Sequence, residues 1–408
     1  MSPFTLDDVA GLAGPPWLGL QRTQAMERFL AGPMPTSADE IWRYSRIDEL
    51  DLAARSRASA SPGSFDSDDF LAAVGATAFV VETVDGRVAS SAGGAEGVRV
   101  GPPVESSGLG RLTDTAAPWD AFVTLNRALA PDPLIVTVDA GVVVPRPIVV
   151  EHVTTSGVAF PRTLVVLGEG SRATVVERRR SGPGSGLCIP VIELDVGDNA
   201  RLDHLVVQEL DGATWEIAYH ASRLGRDSSL RSFTIAFGGD YARVRTDSRL
   251  EGAGGTSELL ALFFGDGHQM HDFRTLQDHE GPKSTSDLVF KGAVTGEARS
   301  AYSGLIRVRP GAAGTKAFQT NRNLVLSDTG LASYSVPNLD IEDNDVTCSH
   351  ASATGPIDED QLFYLESRGI PSAAAERLIV VGFFDDLLSQ LAVPGLRAHL
   401  LAEVAAKL

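Results

Sequence analysis

Cys348 and His350 place a thiol and an imidazole two residues apart, in the phrase Val346-Thr347-Cys348-Ser349-His350. On an extended strand, residues two apart project from one face. The pair could therefore ligate iron or zinc, since both groups are borderline-soft ligands, or hold a persulfide-like sulfur. Spacing alone leaves plainer readings open. A single cysteine also packs as a small hydrophobe, and a single histidine is often a hydrogen-bonded core residue. A second cluster, His268, His271, Asp272, Asp278, His279 and Glu280, has the composition of a metal site. Alternate strand positions point to opposite faces, so these six cannot all converge. His271 and His279 read instead as hydrogen-bonded turn or stacking residues.

Other polar motifs carry less. Gly182-Pro183-Gly184-Ser185-Gly186 is glycine-rich but lacks the lysine and the following helix of a phosphate loop. There is no GxSxG nucleophile elbow. Arg178-Arg179-Arg180 reads as a solvated strand end, and Trp42 and Tyr44 as anchors of local packing. Asp240, Asp247 and Arg249 could serve a polysaccharide-acting enzyme if they faced an open groove. No motif by itself identifies an enzyme.

A chain of 408 residues with 43% hydrophobic and 22% charged residues can bury a sizeable core. The formal charge of −18 argues against broad nucleic-acid or anionic-membrane binding, which needs a basic surface. Two cysteines, Cys188 and Cys348, are too few for a disulfide framework. No secretory signal is visible, and no apolar run approaches the roughly 20 residues of a membrane span. The expectation is a cytoplasmic protein with reduced thiols.

Three regions must position the candidate residues. Residues 1–133 read as mixed α/β: a helix around Leu18–Leu30, a capping box at Ser37–Glu40 ahead of Ile41-Trp42, a strand at Ala78–Val84 and a helix from Trp119 to Ala130. Residues 134–350 carry short β-branched runs, among them Ile135–Val138, Thr163–Leu167, Ile189–Leu194, Leu202–Val207 and Leu230–Ile235, with no long amphipathic helix. Gly168, Gly197, Gly225, Gly254, Gly281 and Gly311 recur at spacings of 27 to 30 residues, about one coil of a parallel β-solenoid. Residues 351–408 are helical, with an Asp358 cap, a Gly369 stop, a helix from Ser372 to about Ala392 and a last one from Leu396.

Several phrases together resemble the SufB/SufD family of iron–sulfur cluster assembly proteins. They are His271-Asp272-Phe273-Arg274-Thr275 to His279, with Pro282, Ser286 and Lys291-Gly292; Ala298-Arg299-Ser300 with Gly304; Gln319 with Asn321-Arg322-Asn323-Leu324; and Pro337 with Asp340-Ile341. Cys348-Ser349-His350, Leu362-Phe363-Tyr364 to Arg368-Gly369-Ile370, and Pro35 to Trp42-Arg43-Tyr44 also fit. The SufD branch is the nearer match. SufB-type chains have a Glu where this chain has His350 and a cysteine near the position of Arg322. The family usually follows Cys-Ser-His with Gly-Ala-Thr, where this chain has Ala351-Ser352-Ala353-Thr354.

The resemblance implies a mainly β fold, a right-handed parallel β-helix between N-terminal mixed and C-terminal helical regions. It implies a non-catalytic scaffold that pairs with a SufB-type paralogue through the end of the β-helix. A SufC-type ATPase would dock on the C-terminal helices through Leu362, Phe363, Tyr364, Arg368 and Gly369. His350 and Cys348 would face the paralogue at a transient cluster shared between chains, as its metal ligands from this side. No resident cofactor is implied in the isolated chain, which has no dinucleotide fingerprint; a reduced flavin is an expectation for the assembled complex only. A homodimer is one arrangement open to the chain when alone, and the sequence does not decide it. The competing expectations are a SufB-like subunit that nucleates the cluster itself and the polysaccharide-acting enzyme named above.

Overall fold

The computed structural model describes residues 3–58, 68–104, 108–114, 120–182, 184, 186–327 and 333–408. From Leu134 onward the β-branched runs form strands that alternate between two sheets, each pairing in parallel with the strand one coil away. One sheet contains Arg172–Ser181, Arg201–Glu209, Ser229–Ala236, Thr256–Gly265 and Thr285–Val294, and ends in Thr315–Val325 and Val346–Gly355. The facing sheet contains Val191–Val196, Trp215–Leu224, Tyr241–Leu250 and Met270–His279, and ends in Arg299–Val308 and Ser333–Ile341. This is a parallel β-solenoid, as the repeat predicts.

The turns explain the repeat. Gly141, Gly170, Asn199, Asp227, Gly254, Lys283 and Gly314 all have positive φ. The amide of each donates to a turn carbonyl of the next coil, as Gly170 does to Asp198 and Asn199 to Arg226. Two residues earlier, Gly168, Gly197, Gly225 and Gly281 share one structural position. Gly254 and Gly311 do not share it: Gly252 and Ala312 stand there, and Gly254 is the left-handed residue itself. At Gly252 the coils approach so closely that a Cβ would lie 2.1 Å from the backbone nitrogen of Arg226.

Inside the solenoid, Phe263, Phe273, Phe290 and Tyr302 form an aromatic ladder with ring centroids 5.2 to 5.5 Å apart. Gly292 lets that ladder close, because a Cβ there would fall 2.0 Å from the Phe263 ring. Antiparallel strands cross the N-terminal end: Arg87–Gly93 beside Phe79–Val84, and Val98–Gly101 beside Leu134–Val138.

Helices cover both outer faces. Pro16–Ala31 and Ala121–Leu129 pack Met26, Phe29, Phe122 and Leu125 with Trp215, Ile217 and Tyr241. Ser372–Leu388 and Leu396–Ala406 bury Val380, Phe384, Leu396 and Leu400 with Phe233, Ile235, Leu260 and Leu262 of the other sheet. Lys291 pins the first of these C-terminal helices, donating to Asp386 at 2.6 Å and to the Phe383 carbonyl at 3.0 Å.

Three local expectations change. The Ser37–Glu40 capping box does not form: Glu40–Trp42 is a single 3-10 turn, and Asp39 instead accepts from the Thr36 amide at 2.8 Å. The helix expected from Trp119 starts at Ala121, where Asp120 caps it; Trp119 lies outside the described residues. Arg178–Arg180 is not a solvated strand end. Arg179 is 1% exposed inside the solenoid, bonded to Glu216 at 2.9 Å and to His220 at 3.0 Å, while Arg178 pairs with Glu209 at 2.7 Å. The interior is wide enough for polar side chains that neutralise one another across the lumen.

Candidate functional site at the open end of the solenoid

Cys348 and His350 lie on the last strand, Val346–Gly355, in register with Ala317 and Gln319 of the strand beneath. Ala317 and Gln319 are 0% and 1% exposed, so this stripe faces inward. His350 is nevertheless exposed and Cys348 half-buried. Among the described residues, no coil stacks on this one. The facing strand has the same property. Ile306 and Val308 are fully buried, yet Leu339 and Ile341, one coil further on, are each 38% exposed. Residues placed to line a core here form a rim: Leu339, Ile341, Val346 and Cys348 on the apolar part, Ser335, His350 and Ser352 on the polar part. Both terminal strands also leave a row of backbone donors and acceptors unpaired along the outer edge.

Burial, offset in part by a hydrogen bond to Ala317, raises the Cys348 thiol above its ordinary value. As a thiol it packs on Ile306, Val308, Ala312 and Ala317. It becomes a good ligand only when a metal or other cation displaces its proton. Among the described residues, no three His, Cys, Asp or Glu side chains converge as a metal site. Cys348 and His350 can thus offer two ligands, and a metal held there would need the rest from outside this chain.

The other histidines separate. His268 is exposed in a turn, 2.8 Å from Glu297. His279 is bonded to Ser284 and Ser286 at 2.7 and 2.8 Å. His271 is fully buried beside the Phe263 ring. Asp272 is held by Arg243 and Arg274 at 2.5 and 2.6 Å. Residues 362–369 lie on the helix Glu359–Ser367 and its stop. Asp358 caps that helix, and Gly369 ends it at φ 85°. No residue of the helix is buried; Phe363 is 70% and Tyr364 57% exposed, with the Arg368 guanidinium 5.2 Å from the Tyr364 ring centroid.

One polar group escapes the sequence reading altogether. His152 and His204 flank Glu177 inside the first coils, at 3.1 and 3.3 Å. Burial opposes the charge of Glu177, but the hydrogen bonds from both imidazoles hold its carboxyl well below the usual range. Single polar residues in β-branched runs were the available signal, and only the coil register brings them together.

The carboxylates considered for glycan chemistry are engaged elsewhere. Asp240 accepts from Arg46 at 3.0 Å and from the Trp215 indole at 2.8 Å. Asp247 accepts from Arg245 at 2.7 Å and from Tyr219 at 2.8 Å. Asp247 does line a groove of about 910 Å³ between Pro33–Trp42 and the outer sheet face, but with its charge already neutralised by Arg245.

Residues 150–383 match the family described as SUF system FeS cluster assembly, SufBD core domain. A Mycobacterium tuberculosis protein described as an iron–sulfur cluster assembly SufBD family protein is 36% identical over 385 residues, 91% of this chain and 88% of its own length. The Escherichia coli iron–sulfur cluster assembly protein SufD is 28% identical over 403 residues, 95% and 92% of the two chains. The Bacillus subtilis protein of the same description is 30% identical over 260 residues, 63% and 59%. No helix among the described residues is long and apolar enough to cross a membrane.

Proposed function

Because the chain belongs to the SufB/SufD family of iron–sulfur cluster assembly proteins, we propose that it is a SufD-like scaffold subunit, without catalysis of its own, that builds a cluster jointly with a paralogous chain. One observation carries the proposal: the inward stripe of the last coil is uncovered at Leu339, Ile341, Cys348 and His350. A SufB-type partner presenting the matching end of its own solenoid covers that rim and extends both sheets. His350, with Cys348, then faces the partner at the assembly site and helps admit iron. The cluster is cargo, held between chains and passed on.

The exposed helix Glu359–Ser367, with Phe363, Tyr364 and Arg368, is the dock for a SufC-type ATPase. It continues into Ser372–Leu388, which Lys291 ties to the solenoid, so a pull on the dock reaches the stacked coils. ATP hydrolysis would in this way strain the rim interface and expose its ligands. The two cysteines are unpaired, in keeping with a cytoplasmic setting. A reduced flavin, if the complex uses one, belongs to the assembled state.

The test is His350→Ala in the purified three-subunit complex. Subunit stoichiometry should be unchanged, and iron–sulfur absorbance on reconstitution should fall to background. Normal cluster yield in the variant would overturn the assignment of His350. Cluster absorbance from the wild-type chain reconstituted alone would favour the SufB-like alternative instead.

A further inference from the structure

Three polar residues of the last strand, His350, Ser352 and Thr354, each stand above a carboxamide of the strand beneath: Gln319, Asn321 and Asn323. Two of the three pairs are joined. Asn321 Nδ2 donates to Ser335 Oγ at 2.9 Å, and Ser352 Oγ bonds to the same oxygen at 2.7 Å. Asn323 Nδ2 donates to Thr354 Oγ1 at 3.4 Å. The third pair is open. Gln319 is 1% exposed, and neither Oε1 nor Nε2 has a hydrogen-bond partner among the described residues.

An amide buried in this way is desolvated with nothing in return, which destabilises the fold. An apolar side chain of the same length would avoid that cost. Room for the amide is nevertheless kept: a Cβ on Gly304 would lie 2.6 Å from Gln319 Nε2 and 2.2 Å from the Tyr302 hydroxyl. In-register neighbours on parallel strands stand about 4.8 Å apart, so the Gln319 and His350 side chains leave the backbone from adjacent positions on one face.

We propose that Gln319 is the positioning residue for His350, its carboxamide hydrogen-bonding one ring nitrogen so that the other is presented to the assembly site. The proposal rests on the reading of His350 given above. A carboxamide suits the task because it can donate to a bare ring nitrogen or accept from an N–H. It fixes the tautomer without adding charge. Second-layer partners of ligating histidines commonly act in this way.

The experiment is histidine-selective NMR on the full chain, with the His350 signals assigned through His350→Ala. Gln319→Leu should shift the ring's tautomer ratio, read from the shifts of its two ring nitrogens, and Gln319→Met should do the same if the leucine variant fails to fold. Asn323→Asp, four residues along the strand, should leave the His350 tautomer ratio in place. In the complex, Gln319→Leu should lower cluster yield by about tenfold.

An unchanged tautomer ratio in both Gln319 variants would overturn the proposal, even where His350→Ala abolishes cluster formation. A shifted ratio together with normal yield in His350→Ala would leave the Gln319 contact standing and remove the role assigned to His350.

Discussion

Burial pushes the His271 imidazole down to about 3, helped by the Lys407 cation, and the His279 imidazole down to about 4. Both are neutral in the folded chain. In the unfolded chain they bind protons near the ordinary value of about 6.5. The unfolded state therefore gains protons first as pH falls, so the stability these residues contribute is complete above about pH 6.5 and declines toward their folded values. Glu177, held ionised, adds a loss of the same sign below about pH 4.3. Melting temperature should drop between pH 7.5 and pH 5, and His271→Met should make the drop shallower. An equally steep drop in the variant would assign the acid sensitivity to other groups. At the candidate site, the two-residue spacing of Cys348 and His350 made their common face legible in the sequence. Their exposure was not legible, because an inward stripe is normally buried. Only the place of their strands as the last of each described sheet turns Leu339, Ile341 and His350 from core into rim.

Among the elements, the helix Glu359–Ser367 stands out because none of its residues is buried. Phe363→Ser combined with Tyr364→Ser should leave the melting temperature nearly unchanged, since neither side chain packs in the core. The same variant should lose co-purification of the ATPase subunit proposed above, because exposed aromatics at the centre of a contact carry about 2 kcal/mol or more each. Retained ATPase would move the dock elsewhere. Asp358 and Gly369 announced this helix through its cap and stop. Gly168, Gly197, Gly225 and Gly281 announced the coils because the turn approach is close enough to exclude a Cβ. Gly254 and Gly311 fell out of phase because the turns differ in length, which spacing cannot resolve. Arg179 was misread for a related reason: its partners Glu216 and His220 are far away in sequence, and only the stacking register makes them neighbours.

At the scale of the molecule, the two ends of the solenoid differ. Antiparallel strands, Arg87–Gly93 and Val98–Gly101, cross one end, while the other shows the bare inner face of Ser333–Ile341 and Val346–Gly355. Leu339→Glu with Ile341→Lys should abolish pull-down of the paralogue and any self-association of the isolated chain, with little change in melting temperature. Light scattering coupled to size exclusion reads both. Self-association that survives the double variant would place that contact on another surface. The asymmetry has a consequence for growth. A rod with a bare apolar inner face at both tips would polymerise into fibres; here only one tip shows such a face, so the proposed rim contact can form once. Under the pairing proposed above, association along this axis is self-limiting at two, and the limit is set by the strands that cross the first coil.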